Sequence, residues 1–190
     1  SSSEEKQIHY TNMAVLSQRL NEDEIYLESL KAMLLIPGIT DSRREETLSR
    51  LVGYYEKKLD FRNAYLTAAK MKFKNLTAKD RHLRLGTLQD LAGMNPTNHY
   101  NQALKSGLKG PTALSLRQRL VILSASPAQE LKVQASELRR NPEVLNETIL
   151  LVYARTKNKT AIKSILSMKE LARQTAPNFI DKQDFYREVI

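Results

Sequence analysis

Two apolar stripes at helical spacing, separated by one short break, occupy residues 45–74 of this 190-residue chain. The first stripe comprises Leu48, Leu51, Val52, Tyr55 and Leu59, and the second comprises Phe61, Ala64, Tyr65, Ala68 and Met71. Apolar residues that recur every three or four positions share one face of an α-helix, and that face has to be buried. Asp60 stands between the stripes, where its carboxylate can accept a hydrogen bond from the free N–H groups of the second helix. The stretch therefore predicts a helical hairpin.

This hairpin resembles a tetratricopeptide repeat, a helical pair of about 34 residues that carries a bulky residue, Leu-Gly and Tyr on its first helix and Ala on its second. The matching residues are Leu48 at the bulky position, Leu51 and Val52 at the Leu-Gly pair, Tyr55 at the Tyr, and Ala64 and Ala68 on the second helix. Leu85 and Gly86 follow one repeat length later, although His82 and Gln89 stand where a second repeat would carry a bulky residue and Tyr. The resemblance implies a right-handed α-solenoid.

The rest of the chain also favours helices. Only six Gly and six Pro are present, and no run of alternating β-branched residues predicts a strand. We expect an all-α fold of about ten helices, because apolar stripes and short polar connectors alternate along the whole chain. Short connectors place successive helices side by side and antiparallel, which favours a solenoid of stacked hairpins, with a single compact helical bundle as the alternative.

The ends of the first helices follow from local signals. We expect a flexible tether at residues 1–5 and a first helix over residues 5–20. Asn21 is predicted to cap a second helix that ends at Ile36, ahead of Pro37 and Gly38.

The second half of the chain carries the stronger breakers. The whole of residues 1–190 is interpreted as one helical array with an internal break near residues 109–111, Lys109-Gly110-Pro111. Ser126-Pro127 and Asn141-Pro142 each predict an N-cap followed by the first residue of a helix.

The compartment is not fixed by the sequence. The chain has no Cys and no apolar run of the roughly 18 residues that a membrane span needs. It begins at Ser1, so both a cytoplasmic protein and an exported one from which a signal or tether has been removed are consistent with it.

Residues that could support catalysis or metal binding are few. His9, His82 and His99 fall on different predicted helices with no second ligand at a suitable spacing, so we expect no metal and no cofactor. The carboxylate pairs Glu45–Glu46 and Asp181–Asp184 are of a kind that is common on solvated helices. We therefore predict a protein that is not an enzyme.

Basic residues concentrate in the middle of the chain, where residues 41–90 and 91–140 each carry a net charge of plus five within a total of plus nine. Six of them cross one predicted turn, interleaved with Phe73 and His82: Lys70, Lys72, Lys74, Lys79, Arg81 and Arg84, here called the basic series. Cations next to stacking rings are typical of nucleic-acid surfaces. Nucleic-acid binding is therefore the alternative function.

A non-catalytic scaffold or adaptor that binds a peptide or helix of another protein is the leading interpretation. By the tetratricopeptide resemblance, the first helix of the hairpin would line a groove with Glu46, Ser49, Gly53 and Glu56. A mid-helix Gly costs about 1 kcal/mol relative to Ala, so Gly53 indicates a close approach to the backbone, either by a partner or by a neighbouring helix of the same chain. Tyr54 is the predicted aromatic anchor.

Overall fold

The structure is a computed structural model and describes residues 2–166. Over that range the chain forms ten α-helices and no strand, which confirms the predicted all-α class. The helices are α1 (Ser3–Leu20), α2 (Asp23–Leu34), α3 (Asp41–Lys57), α4 (Phe61–Ala68), α5 (Ala78–Leu91), α6 (Thr97–Lys105), α7 (Gly110–Leu123), α8 (Pro127–Leu138), α9 (Pro142–Thr156) and α10 (Lys159–Leu166). Within the same range, no helix is both long enough and apolar enough to cross a bilayer.

Among the predicted N-caps, Asp60 makes a side-chain hydrogen bond, whereas Ser126 and Asn141 precede α8 and α9 without one. Asp60 accepts a hydrogen bond from the Asn63 backbone N–H at 3.1 Å and begins α4. The side-chain and backbone hydrogen bonds from Asn63 hold the pKa of the Asp60 carboxyl below its usual value. Thr40 likewise accepts from the Arg43 N–H at the start of α3.

The two ends of α1 differ from the prediction. Residues 3–5, expected in a flexible tether, form its first turn, because the Ser2 hydroxyl and the Glu5 carboxylate accept each other's backbone N–H in a capping box. Asn21 does not cap α2. It ends α1 in the left-handed conformation, with φ of 58°, which Asn tolerates better than most residues.

The chain divides into two compact units, one that ends at His99 and one that begins at Tyr100. This division falls inside α6, so the break expected at residues 109–111 lies within the second unit, at the start of α7. Stacking of the whole chain into one right-handed solenoid, or into one bundle, stays a prediction.

In the first unit, α3 contributes to two separate core clusters. Leu51 packs into a cluster with residues of α1 and α2: Ala14, Tyr26 and Leu30. Its neighbour Val52 packs into a cluster with residues of α4 and α5: Ala64, Ala68, Leu85 and Leu88. Adjacent helix positions point about 100° apart, so one helix faces both clusters and links them.

Carboxylates on α3 also hold the connector between α4 and α5. The Glu45 carboxylate accepts the backbone N–H groups of Lys72 and Phe73 at 2.7 and 3.2 Å. One turn earlier, Asp41 accepts from the Lys72 ammonium at 2.6 Å. Phe73 has φ of 50°, a conformation that is costly for an aromatic residue and that these contacts help to maintain.

In the second unit, α7, α8 and α9 enclose one core cluster. Its buried residues are Val121, Ile122, Leu131, Leu138, Leu145, Ile149 and Val152. Two polar contacts between α7 and α9 lie beside it: Gln118 donates to Glu147 at 2.9 Å, and the Arg155 guanidinium donates to the backbone carbonyl of Ile122. These contacts hold the last turn of α7 against α9.

We expect Glu45→Gln to destabilise the connector between α4 and α5, while Glu46→Gln changes little. A Gln side chain has one acceptor oxygen, whereas the two carboxylate oxygens of Glu45 each accept one backbone N–H. The substitution should therefore lower the free energy of unfolding by about 1–2 kcal/mol. Glu46 forms only exposed ion pairs with Arg43 and Arg50, which are worth about 0–1 kcal/mol each. Faster hydrogen exchange at the Lys72 and Phe73 amides in Glu45→Gln alone is the expected result. Equal exchange in the two variants would contradict it.

Candidate interaction groove

A groove of about 270 Å³ opens in the first unit where the end of α1, the start of α2 and the middle of α3 meet. Its lining residues are Gln18, Asn21, Asp23, Tyr26, Arg50, Gly53, Tyr54 and Lys57. Four of them, at positions 50, 53, 54 and 57, follow the spacing of a single helix face on α3. The groove therefore contains the two residues on which the sequence interpretation placed most weight, Gly53 and Tyr54.

Gly53 lies in the middle of α3 and is exposed to solvent. A Cβ atom placed on it would meet no atom within 4 Å among neighbouring elements. Of the two explanations offered for this glycine, close packing by a neighbouring helix of the same chain is therefore wrong for the described residues. The backbone of α3 is open to the groove at this point.

Tyr54 forms one wall of the groove and is half-buried. Its ring lies 6.0 Å from the ring of Tyr26 and 5.6 Å from that of Tyr55, the latter edge to face. Burial raises the pKa of Tyr26, and the nearby Arg50 offsets part of that shift. Because aromatic neighbours fix the ring of Tyr54, a ligand would find it already ordered.

The other three predicted groove residues lie outside it. Glu46 pairs with Arg43 and Arg50, at 3.3 and 2.8 Å, and Glu56 pairs with Arg84 at 2.6 Å. Ser49 is exposed but does not line the groove.

Arg50 and Lys57, which the sequence interpretation missed, stand one position after Ser49 and Glu56. Helical side chains lean toward the N-terminus, so a point on the surface is covered by a residue about one position further along the chain. A prediction that moved each flanking position of the groove one residue toward the C-terminus, to allow for this direction of the side chains, would have named both cations.

The groove presents more positive than negative charge. Arg50 and Lys57 contribute two cations, of which Arg50 is paired with Glu46 at 2.8 Å, and Asp23 is the one carboxylate among the lining residues. A hydrogen bond from the Lys58 ammonium lowers the pKa of Asp23, so this carboxylate is ionised and already paired. An incoming anion would therefore meet Lys57, a cation without an ion pair among the described residues, more readily than a free carboxylate.

The basic series is partly neutralised by carboxylates of α3. Lys72 and Lys74 lie 2.6 and 3.8 Å from Asp41, and the hydrogen bond from Lys72 lowers the pKa of that carboxyl. The third paired member is Arg84, bound to Glu56 as described above. These pairs reduce the positive field that a phosphate backbone would meet.

Phe73 is not an open stacking ring. Its ring packs against the cluster that contains Val52. The Arg81 guanidinium lies 5.8 Å from the centroid of the same ring. Lys70 and Lys79 have no ion pair among the described residues. Nucleic-acid binding through the basic series stays a prediction.

His82 and His99 lie on different helices, as expected, but their side chains meet, which the sequence analysis did not predict. Their Nδ1 atoms lie 3.0 Å apart, across the contact between α5 and the start of α6, and Tyr65 meets His99 edge to face at 6.2 Å. Seventeen residues and a turn separate the two histidines in sequence, so only the fold brings them together. No group of three potential metal ligands occurs in residues 2–166.

The carboxylate pairs considered for catalysis have other contacts or lie elsewhere. Glu45 binds two backbone N–H groups, and Glu46 binds two arginines. Asp181 and Asp184 lie outside the described residues.

Comparison with family models, curated proteins and solved structures gives no significant match. The tetratricopeptide-like identity of the hairpin therefore rests on its own residues and stays a prediction.

The histidine pair predicts a loss of stability on mild acidification. Burial lowers the pKa of His99 from its ordinary 6.5, and the nearby His82 and Arg81 lower it further. The unfolded chain then binds the proton more tightly than the folded one, so stability is complete above that ordinary value and falls as the pH drops through it. A hydrogen bond between the two rings also requires one unprotonated nitrogen.

We expect His99→Gln to reduce the loss of stability between about pH 7 and pH 5, the range in which histidines titrate. Urea unfolding midpoints across that range measure the effect. His9→Gln, on the exposed side of α1, is the matched control and should keep the wild-type profile. Parallel profiles for His99→Gln and wild type would show that the pair does not govern this pH dependence.

Proposed function

We propose that the protein is a non-catalytic interaction module, and that its first unit binds an acidic peptide segment of another protein in the groove beside Gly53 and Tyr54. The observation that carries the proposal is the open backbone face at Gly53, flanked by an ordered aromatic ring and two cations.

Gly53 supports the proposal because the fold does not require it. A glycine in mid-helix weakens the helix by about 0.5–1 kcal/mol relative to Ala, and nothing in the described structure approaches closely enough to exclude a methyl group. A local cost without a structural benefit is typical of a functional position. A ligand that lies against the α3 backbone would supply the benefit.

The size of the groove suits part of a chain and not a complete small molecule. About 270 Å³ lies at the lower limit of ordinary ligand pockets, and it matches one or two side chains of an extended or helical segment. Tyr54 would provide the apolar contact for such a segment at little entropic cost, because its ring is already held by Tyr26 and Tyr55.

The charge of the groove selects the chemistry of the segment. Lys57 favours a carboxylate, and Arg50 beside it is bound to Glu46. The paired state of Asp23 removes the main feature that would attract a basic residue. Lys57 is exposed and has no ion pair in the described part of the chain, so it is the cation most available to a ligand.

We expect Gly53→Ala to stabilise the protein by about 0.5–1 kcal/mol and Gly53→Arg to fold normally. Circular dichroism and urea unfolding check both expectations. Unfolding of Gly53→Arg would show that the position is needed for packing, which the open space around it argues against.

The binding test compares proteins retained from native extract by four forms of the chain: wild type, Gly53→Arg, Lys57→Glu and Asn12→Arg. Asn12 is an exposed residue of α1 outside the groove. Asn12→Arg therefore adds the same charge as Gly53→Arg at a position that the proposed ligand does not contact. The proposal requires a protein that wild type and Asn12→Arg retain after nuclease treatment and that both groove variants lose.

Retention that Gly53→Arg and Lys57→Glu leave intact would overturn the groove as the binding site. Recovery that disappears with nuclease and falls steeply with salt would favour the basic series from Lys70 to Arg84 instead.

A further inference from the structure

The second unit contains a larger cleft that the function proposed for the first unit does not use. It has a volume of about 700 Å³ and lies where the connector between α6 and α7 meets the end of α8. This volume falls within the range of small-molecule sites. Its lining residues are Leu104, Gly107, Leu108, Lys109, Gly110, Pro111, Ala113, Leu114, Arg117, Glu137, Arg140 and Asn141.

The charged side chains of this cleft are mostly basic. The lining contains three cations, Lys109, Arg117 and Arg140, and one carboxylate, Glu137. Glu137 forms an exposed ion pair with Arg140 at 3.3 Å. Exposed pairs of this kind are weak and exchange readily with another anion. The lining therefore keeps a net positive charge that its own residues do not cancel.

Arg117 is the most buried of the three cations. It is half-buried, and its Nη1 donates to the Gln134 amide oxygen at 2.7 Å. Gln134 is only 3% exposed, and its own amide nitrogen is held by Glu130 at 2.8 Å. The described residues give Arg117 no carboxylate partner, so a guanidinium with five donors is positioned by a neutral side chain.

Four helix ends border the cleft. Both α7 and α9 begin at its edge, at Lys109 and Asn141, and neither residue caps its helix with a side-chain hydrogen bond. The Asn141 amide donates instead to the Glu137 carbonyl at 3.3 Å. α6 and α8 end at the same cleft, so the helix dipoles oppose one another there and the positive field comes from the three side chains.

We propose that this cleft binds a small phosphate-bearing molecule. Arg117 and Arg140 supply planar donor groups that match phosphate oxygens, Lys109 supplies a third positive charge, and the apolar side chains of Leu104, Leu108 and Leu114 line the remaining space. The cleft belongs to a different unit from the groove beside Gly53, so either site can fail its test without affecting the other.

The test uses inorganic pyrophosphate as the probe, in chloride buffer at fixed ionic strength, with the full chain. Arg140→Gln and Arg139→Gln form a matched pair, because the two arginines are adjacent, both exposed and equal in charge, while only Arg140 lines the cleft. Affinity measured by calorimetry should fall about tenfold in Arg140→Gln, the loss of one charge-assisted hydrogen bond, and stay unchanged in Arg139→Gln.

Two further measurements locate the site. Arg117→Lys keeps the charge but removes the planar donor group, and it should also weaken binding. Amide shifts of Gly107 and Gly110 should move on titration in the wild type. An equal loss in Arg139→Gln and Arg140→Gln, shifts confined to the connector at Lys70–Lys74, or no binding of pyrophosphate at millimolar concentration would each overturn the proposal.

Discussion

The burial of Leu51 and Val52 on different sides of α3 is the constraint on which the first unit depends. Leu51 is 3% and Val52 5% exposed, and each completes a cluster to which the other does not belong. Truncation of one such aliphatic side chain costs about 2–5 kcal/mol, a large part of the net stability of a small domain. α3 therefore links the pair α1–α2 to the pair α4–α5.

The remaining faces of α3 follow from this arrangement. Two sides of α3 pack into the core, and its carboxylates lie along a third side. There Asp41 and Glu45 bind the connector that precedes α5, and Glu56 binds a cation of α5. Gly53 is left on the face that no other element covers. The same helix thus pairs part of the basic series with carboxylates and leaves the groove open, and both features favour the proposed protein ligand over the nucleic-acid alternative.

Local features of this structure were predictable from the sequence, and contacts between distant residues were not. The cap at Asp60 and the helix starts at Pro127 and Pro142 depend on residues within a few positions of one another. To predict Arg50 and Lys57 as groove residues, the direction of helical side chains toward the N-terminus has to be taken into account. The His82–His99 contact and the cleft around Arg117 depend on the packing of separate helices, for which no local pattern gives a signal.

The most direct test of the central role of α3 is native-state hydrogen exchange of Leu51→Ala. Leu51 belongs to the cluster of Leu30, the cluster of Leu88 includes Val52 instead, and Tyr55 packs against both. If α3 joins both clusters into one cooperative unit, amides near Leu30 and Leu88 should lose protection together, each by about a hundredfold for a cost of about 3 kcal/mol. Loss of protection near Leu30 with unchanged exchange near Leu88 would show that the clusters open independently, and would contradict the account.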